Sequence, residues 1–431
     1  MNFYRKIIKT NLFKITSLNS LSVALKIGIG LITSKILAIF VGPSGMALVG
    51  NLRNFLTSIE NISTLGFQNG IVKYTSENEK TKIELQKIVS TVFISLLVVA
   101  LLLSGILFFT ASYWNQNIFG SNTEYLTVFK VLALVLPTYG FSIFFIAVIN
   151  GLGRFKKVIS INIIGNIVGL LTSVFLIMQF KTTGALMAIV IAPTLLFFIT
   201  LYLVQKEVQI FQFIKLDVFD FKVLKNLSAY SLMTLVSSVF GPFVFLAIRN
   251  NIIQDLGIEQ AGYWETMTRI SSYYLMFISA ILSVYFLPKL SKAENNLETK
   301  KIFLQYYKYI LPVFVLALVV LYISRFFVIQ LLFTKEFLPV TDLFFLQLLG
   351  DVFKVCALIL GYQFFAKRKT LMFVLTELFS LSILYFSSLY FIKEFQIEGV
   401  VMAYALNNLI YFIILFLCFR SVLKKKTEEL S

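Results

Sequence analysis

Apolar residues run in blocks of about 20 along nearly the whole chain, separated by short polar stretches. A block of that length crosses the roughly 30 Å hydrocarbon core of a bilayer as one helix. The pattern predicts twelve such spans, near residues 17–40, 45–66, 88–111, 124–151, 157–180, 184–205, 227–250, 261–287, 302–324, 341–365, 370–391 and 397–419. The fold class expected is an all-α integral membrane protein. The longest connection, the basic stretch from Lys206 to Lys225, divides the helices into two six-helix lobes: an N-lobe over 1–206, a connecting segment over 207–225 and a C-lobe over 226–431. An even number of helices per lobe gives both lobes the same orientation, an arrangement that opens a central cavity between them.

Charged residues interrupt the apolar pattern where a bilayer tolerates them least. Lys26, Arg53, Arg269 and Lys354 fall near the middle of spans, and each deep cation costs roughly 2.5 to 3.5 kcal/mol on insertion scales. The second span carries Arg53, Thr57, Glu60, Asn61 and Thr64 at helical spacing, a polar stripe suited either to an aqueous cavity or to an inter-helix ion pair. In the eighth span Glu265, Arg269, Ser272 and Tyr273 share a face, and Glu265 to Arg269 is the i, i+4 order that favours a salt bridge. The tenth span holds Gln347, Asp351 and Lys354, with the last two spaced to pair. Lys26 has no carboxylate within a helical turn and is the leading candidate for a ligand cation. Lys35, Lys130, Arg249 and Lys308 lie nearer span ends, where snorkelling is the simplest expectation; Arg249 also remains among the cations that could meet a substrate.

The intramembrane acids are Glu60, Glu265, Asp351 and Glu377. Cations outnumber them, so the interior is net positive and suits an anionic substrate over an organic cation. Glu377 has no cation on its own helix. It is either an ion- or proton-coupling group or a hydrogen-bonded structural carboxyl.

Composition agrees with a polytopic membrane protein, at 58% hydrophobic and only 14% charged residues, against about a quarter charged in soluble proteins. The net charge of +17 follows topology rather than nucleic-acid binding. With the N-terminus in the cytoplasm, Arg5, Lys6, Lys9 and Lys14, the loops from Lys73 to Lys87, Arg154 to Lys157, Lys206 to Lys225, Lys289 to Lys301 and Lys367 to Lys369, and the end from Arg420 to Lys426 all face inward. The opposite face holds only Lys181, Arg325, Lys335 and Lys393. This is the positive-inside asymmetry of a bacterial inner membrane protein with both ends cytoplasmic. Trp114 and Trp264 then fall at the outer interface, where aromatic belts form. The first span is long enough to remain in place rather than be cleaved as a signal peptide.

Several chemistries lose support. The chain has no histidine, which removes His-based metal sites, general bases and proton relays. No G-x-x-x-x-G-K-[ST] loop occurs, so energy must come from gradients or from the substrate. No cofactor is called for, and Cys356 and Cys418 read as packing residues. Pro137, Pro193, Pro242 and Pro312 interrupt spans and can kink them, and Gly165 and Gly169 form a G-x-x-x-G packing motif.

Four segments carry a family resemblance. They are Leu25 to Thr57 (LKIGIGLITSKILAIFVGPSGMALVGNLRNFLT), Gly66 to Lys73 (GFQNGIVK), Ala261 to Trp264 leading to Ser283 to Pro288, and Asp342 to Val355 with its Gly350-Asp351-Val352 core. They resemble Wzx-type flippases, in particular the O-antigen translocase and lipid III (enterobacterial common antigen) flippase branch, over nearly the whole chain. The resemblance implies the fold of the multidrug, oligosaccharidyl-lipid and polysaccharide exporter superfamily, with alternating access. It also implies an undecaprenyl-pyrophosphate-linked oligosaccharide as substrate, and a glycan polymerase and chain-length proteins as possible partners. By match to family-like motifs, Lys26, Lys35, Arg53, Lys73, Asp351, Lys354 and Glu377 are candidate functional residues; Glu265 and Arg269 lie where the match is weakest. A pyrophosphate is a compact multiple anion, and preplaced Lys and Arg can replace its hydration. A multidrug or cation exporter, which calls for an acidic cavity, and a membrane glycosyltransferase or glycan polymerase are the alternative readings.

Overall fold

The computed structural model describes residues 11–79, 81–120, 122–215 and 217–424. Of the cations assigned to the cytoplasmic face, Arg5, Lys6, Lys9, Lys80, Lys425 and Lys426 lie outside those residues. All regular structure among the described residues is helical. A bilayer offers the backbone no hydrogen-bond partners, and a helix satisfies every interior N–H and C=O within one segment.

The helices in chain order are α1 (Asn11–Phe40), α2 (Gly42–Ser63), α3 (Gln68–Glu77), α4 (Lys82–Phe109), α5 (Ala111–Phe119), α6 (Leu126–Gly151), α7 (Phe155–Val208), α8 (Phe221–Leu235), α9 (Gly241–Leu256), α10 (Ile258–Ile281), α11 (Leu287–Lys292), α12 (Asn296–Ile323), α13 (Arg325–Leu332), α14 (Val340–Ala366), α15 (Thr370–Cys418) and α16 (Arg420–Lys424). Nine helical stretches are long and apolar enough to cross a membrane among the described residues, where the hydropathy pattern predicts twelve. The difference has physical causes. α7 and α15 are each long enough for two crossings and break midway, at Lys181 (φ 49°) and Gln396 (φ 51°). α2 has the length to cross, but its polar stripe lowers its hydropathy below that of the nine stretches.

Contacts divide the chain into two compact units. One holds the described residues through Val41 together with Leu48–Leu246, and the other holds Gly42–Ala47 and the residues from Ala247 onward. In the first, Phe67, Ile71, Val92, Phe144, Ile161 and Leu227 share one core, so α8 packs there against α3 and α4. Phe55 of α2 meets Trp114 at a tilt, with ring centroids 4.7 Å apart, and Phe129 edge-on at 5.6 Å. In the second unit α14 is the central helix, packed by α10, α12 and α15.

Each unit repeats the same local plan. In the first, α4 leads into the short α5, a 3₁₀ turn at Thr123–Tyr125 and then α6; in the second, α12 leads into the short α13, a 3₁₀ turn at Lys335–Phe337 and then α14. The breaks match in sequence as well. Phe180-Lys181-Thr182-Thr183-Gly184-Ala185-Leu186-Met187-Ala188 and Phe395-Gln396-Ile397-Glu398-Gly399-Val400-Val401-Met402-Ala403 share F-x-x-x-G-x-x-M-A. The glycine is required because the chain folds back on itself. A Cβ at Gly184 would lie 1.9 Å from the Leu176 carbonyl oxygen, and one at Gly399 would lie 2.1 Å from that of Phe391.

Prolines act in two ways. Pro137, Pro193 and Pro312 sit inside helices that continue through them. Pro242 and Pro288 instead follow π-helical turns, at Val236–Phe240 and Leu282–Phe286. Each wide turn contains the carbonyl four residues earlier, the one a proline ring would otherwise strike.

Gly184→Val and Gly399→Val each force a side chain onto backbone, at a cost of about 3 kcal/mol or more. Neither variant should accumulate in membranes, as immunoblotting of membrane fractions would register, and wild-type levels of either would refute the close approach.

Candidate functional site

α9 and α10 form a hairpin about Gly257, which takes φ +98°. Arg249 and Glu265 are equally spaced on either side of that glycine, so the hairpin brings them level, about 12 Å along the helices from the turn. The Arg249 guanidinium donates to Glu265 Oε2 at 2.7 Å, and the Arg269 guanidinium donates to Oε1 at 3.3 Å. Each carboxylate oxygen thus faces one guanidinium, and all three side chains are buried. The i, i+4 pair expected from spacing is present. The snorkelling expected of Arg249 is not: the residue is only 1% exposed, and its guanidinium lies 5.1 Å from the Trp264 ring centroid. Trp264, expected in an interfacial belt, is likewise buried, as the platform for that cation. A buried cation needs a desolvated partner more than it needs the interface, and Glu265 supplies one.

Asp351 of α14 is fully buried. It accepts hydrogen bonds from Ser271 Oγ and Tyr274 OH of α10, each at 2.5 Å, and from Tyr404 OH of α15 at 2.7 Å. Gln347 Nε2 adds a longer contact at 3.4 Å. These donors join three helices through one acceptor. The ion pair that spacing suggests between Asp351 and Lys354 does not form. Hydroxyls meet the carboxylate instead, and the Lys354 ammonium lies 5.6 Å from the Tyr404 ring centroid, half-buried and within the electrostatic reach of both Asp351 and Glu377. Glu377, half-buried on α15, accepts from Tyr411 OH at 3.2 Å. The second unit therefore brings Asp351, Lys354 and Glu377 into one polar cluster across α14 and α15.

The first unit carries a sparser arrangement. Lys26 of α1 is exposed and attracts the half-buried Glu60 of α2. Arg53 is exposed on the same face of α2 as Glu60. The uncharged members of that stripe turn back on their own helix: Thr57 Oγ1 donates to the Arg53 carbonyl at 2.8 Å, Asn61 Nδ2 to that of Thr57 at 2.7 Å and Thr64 Oγ1 to that of Asn61 at 3.1 Å. Their polarity is met locally, which leaves Arg53 and Glu60 as the charged groups the stripe presents. Lys35 is half-buried further along α1. Lys73 stands apart on α3, where it pairs with Glu77 at 3.7 Å and lies over the Tyr74 ring.

Sequence spacing pointed to Ser272 and Tyr273 as the polar partners on α10, whereas Ser271 and Tyr274 bind Asp351 and Ser272 donates to the Arg269 carbonyl. Tyr404 and Tyr411 were not singled out at all. The available signal was tyrosines deep in apolar spans, whose hydroxyls need a partner when buried.

The chemistry of these groups follows from their exposure. Arg249 and Arg269 hold a carboxylate in a closed triad, and Asp351 is saturated with donors. Lys26, Arg53 and Lys354 are the deep cations whose side chains remain open or half-open. Removing the central acid by Glu265→Ala leaves two guanidiniums facing each other in a buried site, a loss of about 3–5 kcal/mol; the detergent-purified variant should melt well below wild type. Tyr404→Phe removes a charge-assisted hydrogen bond worth about 1.5–3 kcal/mol and should lower the melting temperature by a smaller margin.

The sequence profile of the polysaccharide biosynthesis protein family matches residues 12–294. Over 392 residues the chain is 28% identical to the lipid III flippase of Escherichia coli K12, covering 91% of this chain and 94% of that protein. The lipid III flippase of Shigella flexneri matches at the same identity and coverage. Among solved structures, the inward-facing conformation of a multidrug resistance MATE family transporter of the MOP superfamily superposes with a TM-score of 0.74 at 15% identity, covering 93% of this chain and 96% of that one. A MOP superfamily transporter from Pyrococcus furiosus, described as having a binding pocket of reversed polarity, superposes with a TM-score of 0.70 at 14% identity, covering 98% of each chain. The helical architecture is thus the fold of that transporter superfamily. The extent of the family match identifies the chain as a multi-pass membrane protein that belongs to the polysaccharide biosynthesis protein family.

Proposed function

We propose that this protein is a flippase that carries an undecaprenyl-pyrophosphate-linked oligosaccharide from the cytoplasmic to the periplasmic leaflet of a bacterial inner membrane, by alternating access and without chemical conversion of the cargo. The observation that carries the reading is the end-to-end similarity to two lipid III flippases, over 91% of this chain and 94% of theirs. The side chains agree with it. Lys26 and Arg53 lie open on α1 and α2, and an ammonium and a guanidinium can replace the hydration of a phosphate as it leaves water. Lys354, half-buried beside Asp351 and Glu377, supplies a third cation, and Lys35 and Lys73 are further candidates along the substrate's route. Glu377 is the candidate coupling acid, because it is half-buried and accepts a single tyrosine hydroxyl, whereas Asp351 is enclosed by donors. In this reading both termini are cytoplasmic. The inside-negative potential assists outward movement of an anion by about 2.3 kcal/mol per charge per 100 mV, and a glycan polymerase and chain-length proteins act on the product.

The multidrug exporter reading has less behind it. The likeness to MATE transporters is at 15% identity and concerns the fold, and an organic cation would call for acids in place of the exposed Lys26 and Arg53 and the half-buried Lys354.

Lys26→Ala and Arg53→Ala should each lower surface glycan at least about tenfold in a strain that depends on this protein, with its membrane abundance unchanged. Immunoblots of glycan and of the tagged protein read the two quantities. Full glycan display by both variants would sink the assignment of these cations, and efflux of cationic dyes by the wild type would favour the rival transport class.

A further inference from the structure

One cation in the second unit is unexplained by anything above. Arg325 sits at the junction where α12 ends and α13 begins, on the side where Lys and Arg are scarce in the topology proposed above. Among the described residues it forms no ion pair. Its guanidinium donates one hydrogen bond to the Tyr322 carbonyl at 2.9 Å and lies 4.3 Å from the Tyr322 ring centroid and 4.6 Å from that of Phe326. The two rings hold it in place while its remaining N–H donors stay available, since a guanidinium carries five.

Directly beside it, α12 and α14 leave a groove of about 190 Å³ between them. Val315, Leu318, Val319 and Tyr322 form one wall, and Phe345, Leu348, Leu349 and Val352 form the other. Because α12 and α14 run antiparallel, Val315 faces Val352 at one end and Tyr322 meets Phe345 at the other, with ring centroids 6.0 Å apart. The groove therefore runs along the helices for about 10 Å, apolar throughout, and ends under the ring on which Arg325 rests. Val319 and Phe345 are exposed at the unit's surface, so the groove is open along its side.

We infer that this groove is a binding site for an anionic phospholipid, with one acyl chain between α12 and α14 and the phosphate on Arg325. Two features select that occupant. An apolar channel in a membrane surface accepts a hydrocarbon chain and no polar ligand, and a lone guanidinium at its end matches the single charge of a phosphodiester. A pyrophosphate would draw on more than one cation, so the site is separate from the one proposed for the transported substrate.

Native mass spectrometry of the delipidated full-length protein, titrated with phosphatidylglycerol and with phosphatidylethanolamine, tests the site. Wild type should retain phosphatidylglycerol about tenfold more tightly. Arg325→Gln should abolish that preference while leaving the retention of phosphatidylethanolamine unchanged. Val319→Trp, which fills the groove from its open side, should lower retention of both lipids; Leu349→Trp does the same from the opposite wall and serves if the first variant melts early. Equal retention of the two lipids by wild type, a preference that survives Arg325→Gln, or tighter retention of undecaprenyl phosphate than of phosphatidylglycerol would each overturn the proposal. Because none of these readouts depends on glycan transport, the result stands or falls independently of the flippase reading.

Discussion

A charge or polar group inside a bilayer finds no solvent to meet it, and most of the specific architecture here answers that constraint. Helices satisfy the backbone, but the buried side chains of Arg249, Glu265, Arg269 and Asp351 need partners from elsewhere in the fold. The protein meets them by concentration. One carboxylate serves two guanidiniums across a hairpin, and one carboxylate gathers three hydroxyls from two neighbouring helices. Those two arrangements tie α9 to α10 and α14 to both α10 and α15, so helix positions in the second unit are set by polar contacts as much as by apolar packing. In a medium as apolar as the side chains themselves, shape and hydrogen bonds carry the specificity.

The same constraint separates charges enclosed by the fold from charges that stay exposed. Where a deep cation is enclosed and paired, as Arg249 and Arg269 are, its charge is already met by the fold. Lys26 and Arg53 are instead exposed, and Lys354 is half-buried beside two acids. In the proposed function the exposed cations are the ones that meet the anionic lipid-linked cargo, since a cation that binds and releases a substrate must exchange partners instead of holding one. Arg325 extends the logic to the membrane surface, where an aromatic pair positions a guanidinium at the end of an apolar groove.

The two units show how a repeated plan survives sequence divergence. The order of long helix, short helix, 3₁₀ turn and long helix recurs in both, and so does a glycine-dependent fold-back after Phe180 and after Phe395. At Gly184 and Gly399 no side chain fits at all. Those positions carry the repeat together with the flanking Phe180 and Phe395, Met187 and Met402, and Ala188 and Ala403.

Much of this protein was legible from its sequence. Hydropathy located the helical segments, including the places where α7 and α15 divide, because length and apolarity alone decide whether a segment can cross hydrocarbon. Spacing along one helix was equally direct: the Glu265–Arg269 pair and the polar stripe of α2 both follow from 3.6 residues per turn. What the sequence could not decide was which residues of different helices meet. Spacing alone sends Arg249 to an interface, whereas the hairpin about Gly257 places it against Glu265. Spacing pairs Asp351 with Lys354, whereas the fold brings Tyr274 and Tyr404 to it from α10 and α15. Position along the span suits Trp264 to an aromatic belt, whereas the fold sets Arg249 over its ring. The physical reason is common to all three. Partners within a helix are fixed by local geometry, whereas partners across helices depend on rotation and register, which only the packed tertiary structure supplies.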